Sequence, residues 1–231
     1  MNNLLQHVAI IMDGNRRWAK LNSLSYEEGY KKATVAIKEA VGIALEKQIP
    51  YLTLFAFSTD NNNRSNKEIL ILKKLIKHYL NNETKNLIES GVKFNVIGDY
   101  YGFDKNLALE LDNLKNNSKQ NKKLNLNIAL NYSGKADLLQ AINKIIFKKD
   151  VQKSNTEVTS AELEENLFTA NIPNPDILIR TGGNNRISNF FLWQMAYTEL
   201  FFLEVLWPDF TKQHFTDVIN KFQSIERKYG K

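Results

Sequence analysis

The chain of 231 residues has no cysteine, which rules out disulfides, thiolate nucleophiles and cysteine-ligated zinc and fits a reducing compartment. Its three histidines, His7, His78 and His214, show no metal-ligand spacing. No Gly-Lys-Ser/Thr phosphate loop and no Gly-x-Gly-x-x-Gly fingerprint occurs, which disfavours a nucleotide-binding module. The apolar run from Val8 to Met12 is too short for a signal-peptide core, and nothing elsewhere approaches a membrane span. A cytoplasmic location is therefore expected. The net charge of +6 suits nucleic acid, an anionic membrane surface or a polyphosphorylated small substrate. Because the lysines are scattered and form no dense block, nucleic acid is not an expected partner.

What is present is an ordinary globular composition, 43% hydrophobic and 24% charged. The length suits one domain, 1–231, with a substantial core. Strand-length apolar runs at 8–12, 51–57, 93–98, 124–130, 176–180 and 199–205 alternate with helix-like segments at 27–47, 67–90, 104–119, 135–149, 160–170 and 211–229. Most of these runs are nearly continuous, as in strands buried on both faces. In the first helical segment Tyr30, Ala33, Ile37, Val41 and Ala44 recur at three- and four-residue steps and mark one apolar face. The pattern predicts an α/β fold, a mainly parallel sheet with helices on both faces.

Residues that carry chemistry cluster where apolar runs stop, the sheet edge at which ligands collect in parallel α/β folds. The first cluster is Asp13-Gly14-Asn15-Arg16-Arg17-Trp18. Glycine permits close backbone approach, guanidinium forks match phosphate oxygens, and a carboxylate suits a metal ion. The second is Ser58-Thr59-Asp60-Asn61 with Arg64 beyond. Its hydroxyls, carboxylate and amide can face a ligand, but the same residue types are preferred helix caps. The third is Arg180-Thr181-Gly182-Gly183 followed by Arg186-Ile187-Ser188, a reasonable cradle for a diphosphate. Glu199 stands among large apolar residues, where an ionised carboxylate needs a metal ion or an arginine as partner.

In this order, and with segments 96–99, 126–132 and 199–209, the clusters resemble the cis-prenyltransferase family over nearly the whole chain. The resemblance implies a homodimer built on a central, mostly parallel six-stranded sheet flanked by helices. It implies repeated condensation of isopentenyl diphosphate onto an allylic diphosphate, such as farnesyl diphosphate, to give the long polyprenyl diphosphate of a bacterial cell-wall carrier lipid. A shorter-chain enzyme and a noncatalytic partner subunit of the same fold are the alternatives. Mg2+ is the implied cofactor, with Asp13 and Glu199 as metal-linked acids. Gly14, Asn15, Arg16, Arg17 and Trp18 fall on the allylic diphosphate loop, and Asn61 on a position linked to proton removal. Ser58, Thr59, Asp60 and Arg64 belong to the substrate region, and Arg180, Arg186, Ile187 and Ser188 to the isopentenyl diphosphate site.

The growing hydrocarbon needs an apolar tunnel, which segments 27–47 and 67–90 are expected to wall. Peripheral membrane contact through the lipid product is also implied. The chain departs from the family pattern at several positions. Arg16 stands where many members carry glycine, and Tyr26 and Tyr30 where arginine and histidine are usual. Asp60 replaces a glutamate, Asn62 a tryptophan and Lys228 an arginine of the tail.

Overall fold

A computed structural model describes residues 4–63, 66–152 and 156–227. From the amino end, β1 (His7–Ile11) leads into the short α1 (Asn15–Leu21) and the long α2 (Tyr26–Glu46). β2 (Tyr51–Ser58) is followed by a 3-10 turn at Thr59–Asn63 and by α3 (Asn66–Glu89). Then come β3 (Val92–Ile97), α4 (Tyr100–Phe103), α5 (Lys105–Ser118), β4 (Leu124–Tyr132), α6 (Gly134–Gln152) and α7 (Ser160–Asn166). The chain closes with β5 (Ile177–Arg180), β6 (Glu199–Phe202) and α8 (Lys212–Gln223).

The strands form one six-stranded sheet in the order β3-β4-β2-β1-β5-β6, and every neighbouring pair is parallel. The sheet expected to be mostly parallel is thus wholly so. All five residues of β1 are buried because its alternate side chains serve two layers. Val8 and Ile10 join the larger core with residues of α2, α5 and α8, whereas Ala9 and Ile11 meet Tyr132, Leu178, Phe190 and Phe191. This double burial accounts for the continuous apolar runs.

Helix ends follow their caps. Ser25 Oγ accepts from Glu28 N, and the Glu28 carboxylate accepts from Ser25 N, a capping box that starts α2. The same device at Thr159 and Glu162 starts α7, which ends at Asn166 rather than running to 170. The helix expected over 211–229 is α8, ending at Gln223. A larger difference lies after β1: α1 begins at Asn15, so Arg16, Arg17 and Trp18 are helical rather than part of a loop.

One face of the sheet also carries a polar chain through an apolar layer. Asn95 Nδ2 donates to Asn127 Oδ1 at 3.2 Å, and Asn127 Nδ2 donates to Thr53 Oγ1 at 3.1 Å. Thr53 Oγ1 lies 2.7 Å from His7 Nε2, and His7 Nδ1 lies 2.6 Å from the Pro173 carbonyl. A neutral imidazole protonated on Nδ1 satisfies both ends. Burial pushes the His7 imidazole down to about 4, against the raising effects of the Pro173 carbonyl and the Asp176 charge.

The unfolded imidazole takes up its proton near pH 6.5, well before the folded one does. Stability from His7 is therefore complete above about pH 6.5 and declines by up to about 3 kcal/mol as the pH falls toward 4. His7→Gln, which does not titrate, should lose this part of the pH slope; urea midpoints measured from neutral to acid pH will register it.

Candidate active site

Strand register brings distant segments together. Ile11 of β1 pairs with Phe55 of β2 on one side and Arg180 of β5 on the other. The three polar clusters that follow these strands therefore converge at one sheet edge. A cavity of about 810 Å³ opens there. Asp13, Gly14, Asn15, Arg16 and Arg17 line it from the first cluster, Ser58, Asp60 and Asn61 from the second, and Arg180, Arg186 and Ser188 from the third. Tyr30, Asn184 and Asn189 line it as well. An asparagine carries little signal in so asparagine-rich a sequence, so Asn184 and Asn189 were not legible beforehand.

Four expected residues stand apart. Trp18 does not line the cavity; its carbonyl accepts from Asn22 Nδ2 at the end of α1. Ile187 instead packs against the apolar layer of Phe190 and Phe191. Thr59 begins the 3-10 turn without reaching the cavity. Glu199 opens β6 opposite Ile177, the first residue of β5, whereas Asp13 lies beyond the carboxyl end of β1. At least three residues of rise, roughly 10 Å, separate the two levels. Within one chain Glu199 does not join Asp13 at an ion; its Oε1 lies 3.9 Å from Arg227 Nε. Of the two partners that its apolar sequence setting called for, the structure places an arginine nearby, with the Glu199 side chain itself about a third exposed. Arg64 and Lys228 lie outside the described residues.

Asp13 is the centre of the charged network. Its Oδ2 accepts from Arg180 Nη2 at 2.9 Å and from Asn184 Nδ2 at 3.0 Å, and its Oδ1 lies 3.5 Å from Arg17 Nη2. Partial burial acts to raise its carboxyl, but the Arg180 and Asn184 hydrogen bonds and the nearby guanidinium charges hold it below the usual carboxylate range. Arg180, only 4% exposed, also donates through Nη1 to Ser188 Oγ at 2.7 Å and to the Arg186 carbonyl. Ser188 and Asn189 both adopt positive φ, 50° and 55°. Arg180 thus holds a strained turn against the end of β1.

The other arginines are placed differently. Arg16 Nη1 pairs with Glu68 at 3.2 Å, and its guanidinium lies 5.0 Å from the centre of the Tyr26 ring. Two departures from the family pattern, at 16 and 26, therefore touch each other. In the second cluster Asp60 N donates to Ser58 Oγ, Ser58 N donates to Asn61 Oδ1, and Asn189 Nδ2 donates to Asp60 Oδ2 at 3.0 Å. The segment is both a cap of its own turn and a wall of the cavity.

A second cavity, of about 130 Å³, adjoins the first. Ala33, Thr34 and Ile37 of α2, Leu72, Ile76 and Tyr79 of α3, and Leu54, Phe94, Leu126 and Ile128 of the sheet enclose it. Met12, Asn15, Tyr30, Phe55 and Ala56 line both cavities. A dense cationic chamber thus opens onto an apolar one, with α2 and α3 as the expected walls.

Residues 11–230 match the model of the prenyltransferase family described as undecaprenyl diphosphate synthase. The chain belongs to that family. It is 41% identical over 226 residues, 97% of this chain and 95% of the relative, to a ditrans,polycis-undecaprenyl-diphosphate synthase ((2E,6E)-farnesyl-diphosphate specific) of Coxiella burnetii. It is 40% identical to an isoprenyl transferase of Fusobacterium nucleatum, covering 99% and 96% of the two chains. Among solved structures, lavandulyl diphosphate synthase from Lavandula x intermedia, in complex with dimethylallyl diphosphate, superposes with a TM-score of 0.95 at 32% identity and 98% coverage of both chains.

In this prenyltransferase the Gly182 backbone has φ +87°, and a Cβ there would stand 2.4 Å from Arg17 Nη2 and 3.2 Å from the Asp13 carbonyl. Gly182→Ala should displace the Arg17 guanidinium and weaken binding of inorganic diphosphate roughly tenfold, the worth of one charge-assisted contact. Titration calorimetry on the folded variant measures this.

Proposed function

We propose that this family member is a magnesium-dependent cis-prenyltransferase. It condenses isopentenyl diphosphate repeatedly onto an allylic diphosphate, with farnesyl diphosphate as starter and undecaprenyl diphosphate as product. The observation that carries the reading is the junction of the two cavities, which suits a substrate with a diphosphate at one end and a hydrocarbon at the other. Each methylene buried in the apolar chamber contributes about 0.8 kcal/mol.

In this reading Arg16 and Arg17 hold the allylic diphosphate, and Arg180, Arg186 and Ser188 hold isopentenyl diphosphate. As the allylic carbon–oxygen bond breaks, charge grows on the leaving diphosphate, and guanidinium groups already oriented in the cavity stabilise it. Asn61 has no titratable group, so its part in proton removal is to orient the group that accepts the proton.

Magnesium is commonly held through one or two carboxylates and substrate phosphates. Asp13, beside the arginine-lined cavity, fits that donor set together with diphosphate oxygens. Among the described residues no cluster of three His, Cys, Asp or Glu could hold an ion by itself. When bound, magnesium supplies charge neutralisation at the diphosphate.

The homodimer belongs to the same proposal. Leu139, Ile142 and Ile146 expose one apolar stripe on α6, with Phe147 72% exposed beside it, and β6, an edge strand, exposes Leu200. Such a surface suits a second copy of the chain. Among the described residues no helix is long and apolar enough to cross a membrane. We place the protein in the cytoplasm, with peripheral membrane contact through its product. A shorter-chain product is the second reading, favoured by the small volume of the apolar cavity.

Incubation with magnesium, farnesyl diphosphate and labelled isopentenyl diphosphate, followed by resolution of product lengths, tests these readings. Incorporation into long polyprenyl products is expected, and none by folded protein would refute catalysis. Asp13→Ala should lower turnover by at least ~10²-fold in protein that still folds but is less stable, because Arg180 loses its carboxylate.

Ala33 and Ala56 line the apolar cavity. Ala33→Phe and Ala56→Phe should shorten the products without abolishing the first condensation. An unchanged product ladder in both variants would remove the tunnel assignment.

A further inference from the structure

Asn184 holds an unusual place in the polar cavity. Its Nδ2 donates to Asp13 Oδ2 at 3.0 Å, and its Oδ1 accepts from Arg186 Nη1 at 3.1 Å. Arg180 closes the circuit from the other side, donating to Asp13 Oδ2 and to the Arg186 carbonyl. Asp13, Arg180, Arg186 and Asn184 therefore form a ring of hydrogen bonds that joins the end of β1 to the turn after β5. Only one member of that ring has a neutral side chain.

Neutrality matters because the two groups that Asn184 grips are charged. A carboxylate holding Arg186 would fix its direction but cancel its field. A primary amide offers one donor edge and one acceptor edge, so it can orient an anion and a cation together while leaving both charges in force. Arg186 is exposed to solvent and carries a long flexible stem. Freezing its rotamers on binding costs entropy, part of which is already met when the Asn184 carbonyl oxygen holds Nη1.

We propose that Asn184 is a positioning residue for the diphosphate held by Arg186: a neutral two-sided clamp that presets the Arg186 guanidinium and fixes the Asp13 carboxylate beside it. This rests on the proposed function for the identity of the substrate, but the ring itself predicts anion binding without turnover. Arg186 then meets the diphosphate already aimed, and the amide fixes its separation from Asp13.

The experiment is calorimetric binding of inorganic diphosphate to the full chain, with and without Mg2+, in the wild type, Asn184→Ala, Arg186→Ala and the double variant. Asn184→Ala should bind roughly tenfold more weakly than wild type, as expected for one lost charge-assisted contact. In the Arg186→Ala background without Mg2+ the same change should cost little or nothing, because the remaining partner, Asp13, is an anion that does not itself hold the diphosphate. Equal losses in both backgrounds, or full affinity in Asn184→Ala, would overturn the proposal. Asn184→Leu, of similar size and also without the amide, serves if the alanine variant does not fold, and the same two outcomes decide it.

If turnover is present, a second readout separates clamping from simple packing. Asn184→Ala should raise KM for isopentenyl diphosphate more than it lowers kcat. A purely structural role would lower the melting temperature and kcat while leaving KM in place, which would also overturn the proposal. Absence of prenyl transfer in the wild type, with the predicted binding pattern intact, would fault the substrate reading and leave the clamp standing.

Discussion

The buried guanidinium of Arg180 is the constraint on which the site depends. A charge that is only 4% exposed is tolerated in a protein interior only when it is paired and hydrogen-bonded. Arg180 meets that condition with the Asp13 carboxylate, the Ser188 hydroxyl and the Arg186 carbonyl. The partners lie on two stretches of chain, the end of β1 and the turn at 186–188, so together with β5 itself one charge fixes three backbones relative to one another. Removing either member of such a pair typically costs about 3–5 kcal/mol, because the other charge is left stranded. The strained Ser188–Asn189 turn persists because Arg180 and the contacts of Gly134 and Lys135 with Asn189 hold it.

Charge and oil meet along shared walls. On one side the guanidinium groups and Asp13 surround a wide polar chamber; on the other, α2 and α3 enclose an apolar one. Met12, Asn15 and Ala56 stand in both walls, and the Asn15 side-chain oxygen is buried there without a hydrogen-bond partner. The arrangement follows from the sheet. Its carboxyl edge gathers polar loops, whereas the face beneath α2 and α3 continues the main core. A molecule with a charged head and a hydrocarbon tail matches the local division of chemistry.

The Arg16 region shows how a family pattern can be redistributed. Arginine at 16 and tyrosine at 26 each depart from the usual residues, yet the guanidinium lies over the Tyr26 ring and pairs with Glu68 of α3. A cation remains at the cavity mouth, carried by α1 instead of α2. It also ties α1 to α3, the helix that walls the apolar chamber.

Much of the fold was legible because its cause is local. Five- to seven-residue apolar runs that end at Asp13, Ser58 and Arg180 mark buried parallel strands, and Tyr30, Ala33 and Ile37 mark the inner face of α2. Asp13, Arg17, Arg180 and Arg186 declared their chemistry by type and by position after a strand. Less was legible where a side chain's meaning depends on its neighbours. Glu199 reads as an acid in search of a cation, and only the register of β6 against β5 reveals that it faces Arg227 rather than Asp13. Asn184 carries no signal until folding sets it between Asp13 and Arg186. By itself the sequence determined the strands, the longer helices and the inventory of charged groups, because burial patterns and residue types are properties of short segments; the short α1 and α4 carry too few turns to show a period. Which of those groups share one cavity was decided by tertiary structure, because strand order and register bring together residues about 170 positions apart.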